Sequence, residues 1–284
     1  MARTVEIAFT IRNMQLFPEI GLNLEVQWLH PELRDLNQGT LVFLHEGLGS
    51  VALWRDWPEQ LCQQLQKPGL MYSRQGYGRS ESIQQVRSDA FVVKGVRQGR
   101  RQADYMHNEA LHVLPAVLKD LGILNPILVG HSDGGTIALI YASQHPTQSC
   151  IVMAPHVMVE EISLQAIRQS REAYAQGLRE RLAKFHHDVD SAFWQWNDVW
   201  LSDAFRDFDI RPLLPSITAP LLAIQGEEDA YGTLAQIDEI ALHVPQTQLC
   251  KLSHCGHSPH KDQPAAVNAA IAGFLSDLAG RHQG

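Results

Sequence analysis

The sequence predicts an α/β protein: a mostly parallel central sheet covered by helices, with a helical insertion. Three observations carry this. Short continuous apolar runs alternate with helix-length segments through the first half of the chain. The alternation stops between residues 155 and 215, where no strand pattern occurs, and resumes afterwards. Several apolar runs end directly in glycine-rich loops.

In chain order, residues 24–30 (LEVQWLH) alternate and favour a strand, read as an edge strand that enters the sheet antiparallel. Residues 40–45 (TLVFLH) form a continuous apolar run, as suits a strand buried on both faces. A helix is expected over 52–65, a strand over 69–73 (GLMYS), and then a glycine-rich loop, RQGYGRS, at 74–80. A long helix fits 103–121, with Leu111, Leu114, Leu118 and Leu121 at helical spacing and Gly122 at its end. Strand 126–130 (PILVG), helix 134–143 and strand 150–153 (CIVM) follow. The interruption holds a long charged helix over 159–184 and then Phe193, Trp194, Trp196 and Trp200. Strands 220–225 (PLLAIQ) and 247–252 (TQLCKL) and a closing helix over 264–279 restore the rhythm. The expected organisation is a core of 1–154 and 216–284 with a helical cap at 155–215.

Composition narrows the function. Hydrophobic residues at 45% and charged residues at 19% exclude a disordered chain. A net charge of −8 without a basic run argues against nucleic acid as a partner. No apolar stretch reaches the length of a membrane span, and the N-terminal segment, with Glu6 and Arg12, does not read as a signal peptide. Cys62, Cys150, Cys250 and Cys255 form no CxxC pair, which fits a reduced, cytoplasmic setting. No metal or organic cofactor is implied, since the fourteen histidines include no H-E-x-x-H arrangement. The expected partner is a small-molecule substrate, and self-association as a homo-oligomer is compatible with the sequence.

Gly130-His131-Ser132-Asp133-Gly134 is a G-x-S-x-G pattern. The bare pattern is weak, but here a buried strand runs into it and a helix runs out. A tight strand-to-helix turn needs small residues beside the serine and lifts its Oγ above the sheet. A serine hydroxyl needs a base to take its proton, and the base needs an orienting carboxylate. After strand 220–225 stand Glu227, Glu228 and Asp229; Asp229, at the crest of the loop, is favoured. After strand 247–252 stand His254, His257 and His260; His257, preceded by Gly256, is favoured. The oxyanion hole needs two backbone N–H donors. One is assigned to Asp133, and the other to Leu48, with Gly47 as second choice. His45 is read as structural.

These residues resemble the α/β-hydrolase superfamily across nearly the whole chain, in HEGLGS at 45–50, YSRQGYGRS at 72–80, GHSDGG at 130–135, QGEEDAYGT at 225–233 and CGHSPHKDQP at 255–264. They are most similar to small bacterial serine hydrolases with HEGLGS and GHSDGG. The resemblance implies an α/β-hydrolase fold and a Ser132–Asp229–His257 triad. It has one departure: many relatives read His-Gly-x-Gly, whereas Glu46 separates His45 from Gly47 here.

The expected function is cleavage of a carboxylic ester or related acyl compound through an acyl-enzyme. Two alternatives stand beside it. One is hydrolysis of a carbon–carbon bond in a ring-fission diketone, whose usual Ser-Gly-Gly-Pro-Gly oxyanion motif is absent. The other is a non-catalytic ligand receptor on the same fold; cofactor-free oxygenase or perhydrolase chemistry also remains open. Candidate substrate contacts are Asp133, against its reading as an acidic first-turn residue, Trp196 and Trp200 on one helix face, and Tyr231 beside the acid loop. Arg74, Gln75, Tyr77 and Arg79 are read as residues that hold their loop together, and Arg168, Arg171, Arg179 and Arg181 as a solvated helix face.

Overall fold

The computed structural model describes residues 10–34 and 39–281. The first nine residues, on which part of the signal-peptide reading falls, lie outside the described residues.

The strands are β1 (Thr10–Phe17), β2 (Leu22–Leu29), β3 (Thr40–Leu44), β4 (Gly69–Tyr72), β5 (Phe91–Val93), β6 (Val96–Gln98), β7 (Pro126–His131), β8 (Ser149–Met153), β9 (Leu221–Gly226) and β10 (Thr247–Leu252). Eight of them form one sheet in the order β1-β2-β4-β3-β7-β8-β9-β10. The β1–β2 and β2–β4 pairs are antiparallel, and every other neighbour pair is parallel. The helices are α1 (Trp57–Leu65), α2 (Tyr105–Asn108), α3 (Leu114–Asp120), α4 (Asp133–Ala142), α5 (Glu161–Ala173), α6 (Arg179–Leu182), α7 (Val189–Trp200), α8 (Ala235–His243), α9 (Pro259–Asp262) and α10 (Pro264–Arg281).

The continuous apolar runs are strands because both of their faces are covered. Strand side chains alternate between faces. Val42, Leu44, Leu128 and Val152 accordingly enter one core with Leu114, Ile137, Ile140 and Ile237. Leu41, Phe43, Ile127, Val129 and Ile151 enter the other with Trp57, Leu61, Val267 and Ile271. The sheet thus lies between α3, α4 and α8 on one side and α1 and α10 on the other. Phe193, Trp196 and Trp200 of α7 join the first core.

Several elements differ from the sequence reading. The strand at 24–30 is not the edge, because β1 pairs outside β2 along its whole length. β1 escapes notice because its apolar residues are dispersed, with Met14 and Leu16 exposed. The helix expected over 52–65 begins only at Trp57, after a separate 3₁₀ turn (Val51–Trp54). The helix expected over 103–121 widens into a π turn (Glu109–Val113) between α2 and α3. Pro115 follows that turn; it has no N–H to give an i−4 carbonyl, and its ring crowds that carbonyl. The helix expected over 159–184 is broken between α5 and α6, where Gly177 has φ +103°. β5 and β6 form a small hairpin whose turn residues, Lys94 and Gly95, both have positive φ.

Between β8 and β9 no strand joins the sheet. The ends of this helical segment are pinned together: Ile210 N–H donates to Val157 O at 2.8 Å and Val159 N–H to Phe208 O at 3.3 Å. Among the described residues no helix is long and apolar enough to cross a membrane.

Candidate active site

β7 ends at His131 and α4 begins at Asp133, so Ser132 alone turns the chain. It does so at φ 52°, ψ −120°, a conformation costly for any residue with a Cβ. The surroundings impose it. Ser132 N–H donates to Met153 O at 2.9 Å, and the glycines on either side allow backbone to touch backbone. A Cβ at Gly130 would lie 2.3 Å from Gly134 O, and one at Gly134 would lie 1.9 Å from Leu44 O. In an ordinary helix Gly→Ala stabilises. Here Gly134→Ala is expected to destabilise the fold by about 3 kcal/mol through overpacking, read as a lower denaturant midpoint. An unchanged midpoint would contradict this close approach.

His257 Nε2 lies 3.0 Å from Ser132 Oγ, and His257 Nδ1 lies 2.9 Å from both carboxylate oxygens of Asp229. An imidazole with its proton on Nδ1 donates to Asp229 and leaves Nε2 to accept the serine hydroxyl. Asp229 is buried and also accepts Tyr231 N–H at 2.8 Å and Gln225 Nε2–H at 3.2 Å. Burial works to raise its pKa, but the hydrogen bond and charge of His257 outweigh this and hold the carboxyl below its ordinary range. The competing residues stand elsewhere. Glu227 and Glu228 are exposed, and Glu228 contacts the exposed His254. His260 is buried against Trp54 and Trp57, with ring centroids 4.9 and 5.1 Å apart.

The loops that carry the acid and the histidine interlock. A Cβ on Gly226 would lie 2.0 Å from Cys255 O, and Glu228 N–H donates to that same oxygen at 3.0 Å. His131 Nε2–H donates to His257 O at 2.7 Å, while its Nδ1 lies 3.4 Å from Glu46 Oε2. Burial acts to raise the Glu46 carboxyl, but His131 and Lys261 outweigh it and hold its pKa well below the ordinary value. Glu46 thus stands behind the histidine loop, a role the bare motif gave no sign of.

The loop after β3 is held from several directions. His45 Nδ1–H donates to Glu46 O at 2.7 Å, and Arg74 N–H donates to His45 Nε2 at 3.1 Å. Leu48 O accepts from His186 Nε2 at 2.9 Å. Gly47 packs under the Trp196 indole, which a Cβ at that position would meet at 2.2 Å. Asp133 opens α4, where its N–H has no intrahelical acceptor.

The Asp133 carboxylate is buried and already engaged. Its Oδ2 accepts the Tyr105 hydroxyl at 2.6 Å and lies 3.8 Å from Arg74 Nη2. Trp200 Nε1–H donates in turn to Tyr105 Oη at 2.9 Å. The Tyr231 ring lies 4.6 Å from the His257 ring. Sequence reasoning missed His156. Its ring lies 5.7 Å from that of His257, Nε2 donates to Tyr231 O at 3.1 Å, and burial above all pushes its pKa down to about 4. A lone histidine in a loop carries no signal for this.

Comparison with known proteins gives a consistent picture. The profile of the alpha/beta hydrolase family matches residues 41–270. A curated relative, the 2-succinyl-6-hydroxy-2,4-cyclohexadiene-1-carboxylate synthase of Enterobacter sp. (strain 638), is 26% identical over 263 residues, covering 83% of this chain and 91% of the relative. Among solved structures, one from work on carboxylesterases of Nitrososphaera gargenis superposes with a TM-score of 0.70 at 19% identity, covering 95% of this chain and 100% of the other. The enol-lactonase of Burkholderia xenovorans LB400 superposes with a TM-score of 0.69 at 17% identity, covering 90% and 97%.

Proposed function

The chain belongs to the alpha/beta hydrolase family, and from that premise we propose that it is a serine hydrolase cleaving a carboxylic ester or related small acyl substrate. The observation that carries this reading is the unbroken hydrogen-bonded line Asp229–His257–Ser132, with steps of 2.9 and 3.0 Å.

Ser132 Oγ attacks the acyl carbonyl as His257 Nε2 takes its proton. Asp229 keeps the imidazole proton on Nδ1 and stabilises the imidazolium. The carbonyl oxygen becomes an oxyanion, held by the backbone N–H groups of Asp133 and Leu48, with Gly47 as the alternative to Leu48. His257 passes its proton to the leaving oxygen, and the carbon–oxygen bond breaks to leave an acyl-enzyme. Water, deprotonated by His257, then releases the acid and restores Ser132. Residues 155–215 act as a cap, with Trp196, Trp200 and Tyr231 beside the reacting group.

A fluorophosphonate is expected to label the protein stoichiometrically, with the adduct mapped to Ser132. A panel of aryl and alkyl esters of graded length then ranks the acyl group. Absence of labelling, or labelling at another residue, would overturn the reading; tight ligand binding without a product burst would favour a receptor.

A second reading, carbon–carbon cleavage of a ring-fission diketone by the same residues, draws support from the relatives named for 2-succinyl-6-hydroxy-2,4-cyclohexadiene-1-carboxylate, a carbocyclic product. Release of a ketoacid and a carboxylic acid from such a diketone, with esters left intact, distinguishes it.

A further inference from the structure

A cavity of about 390 Å³ lies between the β1–β2 turn, the β5–β6 hairpin, the start of α2 and Gln195 of α7. Its volume falls in the range of small-molecule sites. Ser132, Asp229 and His257 take no part in its lining.

Its walls carry more positive charge than their own acids can match. The acids are Glu19, Asp104 and Glu109, and each is already engaged. Glu19 pairs with Lys119 at 2.8 Å, outside the cavity, and Asp104 pairs with Arg97 at 3.0 Å. Glu109 accepts the Tyr72 hydroxyl at 2.7 Å, and burial pushes its pKa up, which weakens it as a counter-charge. That leaves Lys94, Arg100 and Arg101, none of which has a carboxylate within 4.0 Å among the described residues. They stand at two depths: Lys94 and Arg100 are exposed at the rim, and Arg101 is half-buried. Arg101 donates only to neutral amide oxygens, Gln75 Oε1 at 3.0 Å and Gln195 Oε1 at 3.4 Å. Gln195 is fixed in that orientation, because its Nε2–H donates to Gln75 O at 3.1 Å. The remaining nitrogen, Arg101 Nη1, has no acceptor among the described residues and is not sealed from solvent. Behind it, Gln75 Nε2 and Arg74 Nη1 are sealed in the wall without acceptors, which deepens the surplus of donors.

We infer that this cavity is a second site, separate from Ser132, that binds a small organic di- or tricarboxylate. One carboxylate meets Arg101 Nη1, and another faces Lys94 and Arg100 at the rim. The cations at two depths call for a ligand with two negative groups rather than one. A guanidinium matches a planar carboxylate, and its hydrogen bonds to a charged acceptor are stronger than those it makes to amides. Phosphate sites commonly use the N–H groups of a helix N-terminus. The helix that starts here, α2, has Asp104 at that position instead. The inference stands whether or not Ser132 is a nucleophile, since the two sites share no residue of the hydrogen-bonded line.

Titration calorimetry of the full chain with citrate tests this, with butyrate and inorganic phosphate as comparison ligands. Citrate is expected to bind once per chain and more tightly than either. Arg101→Met is expected to weaken it about 10- to 100-fold, as befits hydrogen bonds to a charged group, and Arg101→Lys to recover part of the loss. The double variant Lys94→Gln, Arg100→Gln changes only exposed side chains, so it reads the site even if Arg101→Met fails to fold. It is expected to weaken citrate about three- to tenfold and to leave butyrate unchanged. Ser132→Ala is expected to bind citrate as the parent does, and a crystal grown with citrate to show a carboxylate in hydrogen-bond contact with Arg101 Nη1. Absence of citrate binding in the parent, or binding that neither the Arg101 nor the rim variants weaken, overturns the inference. Tighter binding of inorganic phosphate overturns the assignment to a carboxylate. Loss of citrate binding in Ser132→Ala, or citrate seated away from Arg101 in the crystal, overturns the separate site.

Discussion

Ser132→Ala is expected to lower turnover of the best ester by about 10⁵- to 10⁶-fold, the scale on which an activated serine is lost. The side chain has one prominent contact, Oγ to His257 Nε2 at 3.0 Å. Its removal takes away the proposed nucleophile and leaves Nε2 with nothing to deprotonate. The backbone conformation at φ 52° suits alanine as well as serine, and the N–H still reaches Met153 O. Stability is therefore expected to stay within about 0.5 kcal/mol of the parent. Residual activity above the uncatalysed rate is expected from the backbone donors and binding alone. A variant that folds and works within tenfold of the parent would remove Ser132 from the chemistry.

Asp229→Asn is expected to cost about 10⁴ in kcat with KM little changed. The amide keeps the shape of the acid and an oxygen for Tyr231 N–H, which Asp229 now accepts at 2.8 Å. It also turns an N–H toward His257 Nδ1. The imidazole then places its proton on Nε2, where it can no longer receive the one from Ser132. The parent avoids this because burial, which would neutralise Asp229, is outweighed by His257 and the carboxyl stays ionised. Steady-state kinetics together with the imidazole ¹⁵N shifts read both parts. A parental kcat with Nε2 unprotonated would mean that another group orients the histidine.

Elements buried on both faces were legible because their apolar residues are contiguous. Leu41, Val42 and Phe43 are fully buried, as are Ile127, Leu128 and Val129. The acid loop follows such a strand, β9, whereas the histidine loop follows β10, an edge strand with half-buried and exposed residues; each loop carries its glycine. The rest was not, for three physical reasons. β1 is an edge with polar residues along its length, and β5 and β6 have three residues each, too few for a period to show. The break at Gly177 and the π turn before Pro115 are single-residue events inside strong helical patterns. His156 meets His257 and Tyr231 from a segment far away in the chain, so no local pattern announces it. Glu46 is intermediate. Its departure from the expected glycine is visible in the sequence, but its place behind His131 depends on how β3 and β7 lie side by side.

The contact between Gly226 and Cys255 has a consequence for timing. Because main chain meets main chain there, the carboxylate and imidazole ride on a single rigid body that exists before any ligand arrives. In the proposed hydrolase their mutual orientation is already set when a substrate binds, so it adds no reorganisation to the reacting step.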